Sequence, residues 1–200
     1  YHASNGGISA KASESWKIKD YPYFIFKKDL IHFSKEKPNN DLSRRKELKN
    51  FLEKDKNNFF GKDHYLFRWN KKVSSKQLSD LLSKNNLLRK NSEIVSFRIN
   101  ERGQSGRITK LEIHHTNSTN PITLTKDEIR RYLNFLPSNL FIIDKLNDNL
   151  WVFTGGGFGH GVGLSQSGAI EMAKIGYPYQ KILKRYYKKT KILNFMNLQK

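Results

Sequence analysis

Apolar and polar positions alternate twice along the middle of the chain. Val95, Phe97 and Ile99 are separated by polar residues, as are Leu111, Ile113 and His115, and the ERGQSGR stretch between them carries two glycines. A period of two with a Gly-bearing connection predicts an antiparallel hairpin over 93–116. Helical spacing replaces it elsewhere. Ser74-Ser75-Lys76-Gln77 is a capping box, and Leu78, Leu81 and Leu82 then share one face, which predicts a helix over 75–84. Thr125-Lys126-Asp127-Glu128 repeats the signal before Ile129, Leu133 and Leu136, with Pro137 as the stop. LFIID at 140–144 and WVFTG at 151–155 read as paired strands joined through Asn-Asp-Asn. A helix is expected near 167–175, ended by Gly176. Another starts around Pro178 and turns Ile182, Leu183, Tyr186 and Tyr187 inward.

Two segments depart from this regularity. Residues 21–33 are rich in aromatics and suit a strand or a buried extended stretch. Residues 34–60 are dense in Lys, Asn and Asp. There Leu42, Leu48, Phe51 and Leu52 form one helical stripe, which reads as a short amphipathic helix inside a basic insertion or surface excursion. Strands and helices mix without βαβ alternation. The expected fold class is α+β, with mixed or antiparallel strands and several short helices.

Composition narrows the chemistry. The chain has 200 residues, enough for one domain, and its 13 Phe, nine Tyr and three Trp can fill a core. It has no Cys, which removes disulfides, Fe–S clusters, Cys-ligated zinc and thiol nucleophiles together. Against 18 acidic residues stand 37 Lys and Arg, a formal charge of +19, which points to a polyanionic neighbour. Basic runs such as Arg44-Arg45-Lys46 and Lys184-Arg185 interleave with aromatics. The charge is nevertheless spread along the chain and matches no nucleic-acid-binding motif, so nucleic acid is not the expected partner. No stretch approaches the roughly 20 apolar residues of a membrane span, and no signal peptide is visible. The first residue is Tyr1, not Met, and its surroundings read like mid-domain sequence, so an upstream part is expected.

The most unusual stretch is GGGFGHGVGLSQSG at 155–168, with seven glycines in fourteen residues. His160, framed by Gly159 and Gly161, has room to meet a ligand beside backbone N–H groups. Ser165, Gln166 and Ser167 open a helix whose first N–H groups favour polar or anionic atoms. G-x-G-x-x-G, the phosphate-binding loop and G-x-S-x-G all fail here, residue by residue. A plain turn from strand to helix is the alternative. His2, Ser4 and the Gly6-Gly7 pair form a second polar cluster. His114 and His115 adjoin in a strand, face opposite sides and cannot chelate one metal as a pair. His32 and His64 look solvated. Among the carboxylates, Glu14, Glu128 and Glu171 are candidates for acid chemistry, but none stands out as an acid in an apolar pocket.

The run GFGHGVGLSQSGAIEMAKIGYPYQKILKRYYKKTKI resembles the signature end of the SpoIID/LytB-like family (stage II sporulation protein D and the amidase-enhancer proteins). That family shows Gly-x-Gly-His-Gly-Val-Gly-Met-Ser-Gln, then Gly-Ala, then Tyr-Tyr-x-x-Thr. The opening YHASNGG is similar to its Tyr-His-Ser-x-x-Gly-Gly segment, with Trp16 and Tyr21-Pro22-Tyr23 following in order. Phe67-Arg68-Trp69, Ser105-Gly106-Arg107, Ile129-Arg130-Arg131 and 136–141 match further landmarks, so the likeness covers roughly 1–26 and 61–195. Ala3, Asn139, Leu164 and Ser167 depart mildly.

The resemblance implies that residues 1–200 correspond to the C-terminal part of a SpoIID-like domain. The family's proposed catalytic Glu would lie upstream of Tyr1. It implies an extracytoplasmic, cell-envelope protein acting on peptidoglycan glycan strands as a lytic transglycosylase that leaves 1,6-anhydro ends. A non-catalytic amidase enhancer with a cell-wall amidase as partner is the alternative. On this reading His2, Ser4, Gly6, Gly7, His160, Gly161, Gly163, Ser165 and Gln166 line the sugar-holding groove. No metal or other cofactor is expected, because the Cys ligands with which some relatives hold zinc are missing. Any membrane anchor would belong to an upstream segment.

Overall fold

A computed structural model describes residues 1–32, 41–54 and 56–193. Residues 33–40, within the expected excursion, lie outside the described residues. In chain order the elements are β1 (Ile8–Ser9), α1 (Ala12–Ser15), β2 (Lys27–Lys28), α2 (Arg45–Glu53), β3 (Trp69–Ser74), α3 (Ser75–Lys84), β4 (Ile94–Arg102), β5 (Ile108–His115), β6 (Ile122–Thr125), α4 (Asp127–Tyr132), β7 (Phe141–Asn147), β8 (Leu150–Gly155), α5 (Gln166–Lys174) and α6 (Tyr179–Tyr186). A 3₁₀ turn occupies Lys56–Asn58. Three antiparallel sheets result, ordered β1-β2, β3-β8-β7 and β4-β5-β6. The fold is α+β, as the pattern implies.

The hairpin of β4 and β5 forms where the alternation places it, with register shifts at Ile94/Ser96, Ile99/Glu101 and Glu101/Arg102. A bulge between Ile94 and Ser96 turns Val95 out to solvent, 51% exposed, and Ile94 takes the inward position. The capping box of α3 is complete. Ser74 Oγ accepts from Gln77 N at 3.1 Å, and Gln77 Oε1 accepts from Ser74 N at 2.9 Å. The second box closes differently. The Glu128 carboxylate accepts from Thr125 N and Oγ1, while Lys126, at φ 48°, holds the cap position. Helix α4 therefore ends at Tyr132, earlier than Pro137 requires, yet Leu133 and Leu136 stay buried in the turn that follows.

Two apolar clusters flank the β3-β8-β7 sheet. One joins α3 and the β4-β5-β6 sheet through Leu78, Leu82, Leu111, Ile113, Phe141, Trp151 and Phe153. The other gathers Ile8, Leu42, Leu48, Phe51, Leu52, Phe67 and Ile142. Helix α2 is the amphipathic helix that the stripe predicts, and it packs into this second cluster. Its stripe of Leu48, Phe51 and Leu52 covers Ile142 of β7 and Ile8 of β1, and each such burial contributes roughly 1.5–3 kcal/mol. A third cluster of Phe60, Met172, Ile182 and Tyr186 fixes α6 against α5. Of the four residues expected inward on α6, Ile182 and Tyr186 are buried and Leu183 and Tyr187 half-buried. No helix among the described residues is long and apolar enough to cross a membrane.

Candidate functional site

The amino-terminal segment and the glycine-rich loop lie side by side. Isolated bridges pair His2 with Ser165, Ser4 with Phe158, and Ala10 with Val162. Ser4 N donates to Phe158 O at 3.1 Å and Phe158 N to Ser4 O at 2.8 Å, while Ala10 N donates to Gly161 O at 2.9 Å. Such close approach needs small residues. A Cβ on Gly6 (φ 66°) would stand 2.7 Å from the backbone of Gly156 and Gly157.

This zipper brings two imidazoles together. The rings of His2 and His160 have centroids 5.2 Å apart and meet edge to face, and Trp16 lies 4.7 Å from His160 on centroids. The backbone of Val162 orients both histidines. Its carbonyl accepts from His2 Nδ1 at 3.2 Å, and its N–H donates to His160 Nδ1 at 3.1 Å. His160 then carries its proton on Nε2, which donates to Tyr1 O at 2.9 Å. His2 is buried, and its Nε2 has no hydrogen-bond partner among the described residues.

Both imidazoles are held neutral. Burial is the main cause for each, and nearby positive groups add to it. His160 falls to about 4, and His2 goes well below its ordinary value, with Arg107 the largest charged contributor.

Arg107 underlies the pair. It is 1% exposed, and its guanidinium donates to Asn5 O at 3.0 Å and Ile8 O at 3.2 Å. Burial lowers it to about 10, with the Glu14 carboxylate pulling the other way, so it stays charged. Glu14 itself is buried and accepts from Ser105 Oγ and N. Burial raises its pKa despite the opposing Ser105 hydrogen bond and Arg107 charge. Ser15 Oγ, next in sequence, donates to His160 O at 2.9 Å.

Of the nine residues proposed from sequence, His2, Ser4, Gly6, His160, Gly161 and Ser165 meet at this join, whereas Gly7 packs against Phe51, Phe59 and Phe67, Gly163 against Phe24 and Tyr187, and Gln166 lines a separate cleft with His64. His160 is half-buried and the Gln166 side chain is exposed, so these two face solvent. His2, Ser4, Gly6, Gly7, Gly161, Gly163 and Ser165 are buried. Ser4 Oγ accepts from Gly6 N, and Ser165 Oγ accepts from Asn5 N and Gly168 N, so both hydroxyls are engaged by backbone. The expected free N–H groups at the start of α5 are not free. Gln166 N donates to His2 O and Ser167 N to Ala3 O, each at 2.9 Å. An anion has no vacant donors there. Trp16, Glu14 and Arg107, named in the sequence only as family landmarks or as one carboxylate among several, are brought by the fold against the histidine pair.

Among the described residues no group of three or more His, Asp or Glu side chains is placed to hold a metal ion. A cavity of about 800 Å³ lies at the start of α3, lined by Ser75, Ser79, Lys90, Glu93 and Asn149, and no proposed residue lines it.

A family model described as a domain of unknown function (DUF8618) matches residues 10–163. The match includes Trp16, Arg107 and His160 and leaves out His2 and Gln166. An uncharacterized protein of Brachyspira hyodysenteriae is 34% identical over 111 residues, 54% of this chain and 28% of that protein. The amidase enhancer of Bacillus subtilis (strain 168) is 25% identical over 218 residues, 98% of this chain and 29% of that protein. The chain therefore spans under a third of the length of the curated relatives it matches.

Proposed function

The chain belongs to the DUF8618 family, and on that premise we propose that it is a SpoIID-like, peptidoglycan-binding part of an extracytoplasmic cell-wall protein. The supporting observation is the half-exposed His160 ring, held between Trp16 and Tyr1 at the join of the chain's two ends. Alignment of nearly the whole chain with an amidase enhancer adds weight. Both His160 nitrogens are engaged, so the ring offers a ligand its C–H surface and no transferable proton. With Trp16 it suits the apolar face of a sugar, and Gln166 can serve hydroxyl or acetamido groups.

In a lytic transglycosylase a carboxylic acid protonates the glycosidic oxygen and the sugar's own 6-hydroxyl closes the 1,6-anhydro ring. The acid would come from a segment preceding these residues in a longer protein. This chain would hold the ring, exclude water and orient that hydroxyl. The full-length protein, incubated with glycan strands stripped of their peptides, should release anhydro-ended fragments detectable by mass spectrometry.

A second reading, favoured by the relative's name and by the engagement of Glu14 with Ser105 and Arg107, is an amidase enhancer without bond cleavage. No anhydro ends, together with stimulation of a cell-wall amidase on intact sacculi, would decide for it.

A further inference from the structure

A cleft of about 270 Å³ lies where the start of α2 meets the end of β4, lined by Ser43, Arg45, Ile99, Asn100 and Arg102. We infer that this cleft binds the free carboxylate end of a short peptide, with Arg102 as the cation that holds the carboxylate. Neither His2 nor His160 lines it, so the inference stands apart from the glycan-binding reading.

Arg102 differs from the other arginines that the fold shields from water. Arg107 faces the Glu14 carboxylate, Arg185 holds Asp29 at 2.6 Å, and Arg130 lies 3.9 Å from Asp127. Arg68 donates instead to four backbone carbonyls, those of Gly6, Phe51, Leu52 and Phe67. Among the described residues Arg102 has neither a carboxylate nor such a cage. Its Nη1 donates to Gly106 O, and its Nε and Nη2 have no partner there. Burial draws the guanidinium down to about 10, and the charge that acts on it is that of a second cation, Arg45, which lowers it further. A cation so placed is destabilising until an anion reaches it.

The local charge selects a monoanion. The lining side chains carry the two positive charges of Arg45 and Arg102 and no negative one. Asp144, outside the lining, neutralises Arg45 at 2.6 Å. Arg102 is left with one uncompensated charge, and its planar fork matches a carboxylate. Asp41 stands behind Ser43, accepting from Ser43 N at 2.9 Å, so the second charge of a phosphate would meet carboxylates on two sides.

The remaining walls select a peptide. Asn100 Nδ2 donates to Glu112 Oε1, which leaves Asn100 Oδ1 as an acceptor. The Ser43 hydroxyl donates to Asp41 and keeps its lone pairs. Both can accept from a peptide N–H, while Ile99 offers an apolar wall to a small side chain. The cleft falls below the roughly 300–1,000 Å³ of drug-sized sites, so it suits a small end group such as an alanyl carboxylate.

The test titrates the 200-residue chain with N-acetyl-D-alanyl-D-alanine, with its L,L isomer and with the C-terminal amide of each, followed by backbone amide shifts. At least one of the two acids should bind and move Ser43, Asn100 and Arg102, and its amide should bind about tenfold more weakly or less. The isomer that binds tighter separates the sources, a wall stem peptide for D,D and the end of a protein chain for L,L. Arg102→Lys keeps a charge and a donor for Gly106 O but loses the fork, and should weaken the acid about tenfold. Asn100→Ala, at an exposed position, should weaken it several-fold. An acid and its amide binding equally, shifts confined to other residues, or no binding by either acid would overturn the inference and leave glycan binding at His160 untouched.

Discussion

The Arg107 guanidinium occupies the space where a side chain at position 161 would begin: a Cβ on Gly161 would stand 2.1 Å from Nη2. The residue after the candidate histidine and the buried Arg107 cation are therefore packed as one unit. Arg107→Met should take a donor from each of the Asn5 and Ile8 carbonyls and remove the largest positive charge beside Glu14, lowering unfolding free energy by about 3–5 kcal/mol. Gly161→Ala, at φ 79°, should destabilise too, through strain as well as collision. Urea titrations monitored by near-UV circular dichroism would measure both.

Protonation gives a second expectation. His160 and His2 have folded-state pKa values below 6.5, so the unfolded chain binds more protons than the folded one in that range. Their contribution to stability is complete above about 6.5 and is lost as pH falls, toward about 4 for His160. Glu14 works in the opposite direction. Its raised pKa adds stability that is lost as pH rises through the folded value. The wild-type curve therefore mixes two slopes. Subtracting the curve of His160→Gln should isolate a term that grows from pH 5 to 7, as read by unfolding at a series of pH values. A flat difference would mean that His160 titrates normally.

The hydroxyls of Ser4 and Ser165 should matter for stability and not for ligand contact. Ser165→Ala removes the cap of α5 and the acceptor for Asn5 N, at a cost of about 1 kcal/mol. Glycan affinity of the folded variant should match wild type in isothermal titration. A tenfold loss of affinity at unchanged stability would restore Ser165 to the groove.

Helix α6 is pinned by Asp29, which accepts from Tyr186 Oη at 2.7 Å and from Arg185 Nε at 2.6 Å. Asn5 Nδ2 reaches the same carboxylate at 3.1 Å, so α6 is wired to the amino-terminal segment. Tyr186→Phe should cost about 1–3 kcal/mol by leaving a buried carboxylate oxygen short of a donor. Hydrogen exchange of residues 2–7 should quicken alongside that of α6, and protection lost in α6 alone would contradict the coupling.

What the residue pattern made legible was local. The 3.6-residue spacing placed α3, α4 and α6, the period of two placed β4 and β5, and two apolar runs joined through Asn-Asp-Asn placed β7 and β8. At α2 the apolar stripe between flanking Lys and Asn was legible as a helix, but the core cluster that it closes depends on contacts distant in sequence. The glycine-framed histidine was conspicuous, and so was its partner segment, but their roles were not. Burial of Ser4, Ser165 and Arg107 depends on contacts between residues far apart in sequence, which no local spacing encodes. His64 looked solvated for the same reason, since only the fold sets its ring between Tyr65 and Phe158.

Binding of peptide-free glycan strands to the 200-residue chain tests the central claim most directly. It should be measured at about 0.5 M salt, where charge attraction is screened to within a few ångströms. The account predicts binding that persists at that salt and weakens severalfold or more in Trp16→Ala. Binding that vanishes with salt, or that ignores the loss of Trp16, would contradict it.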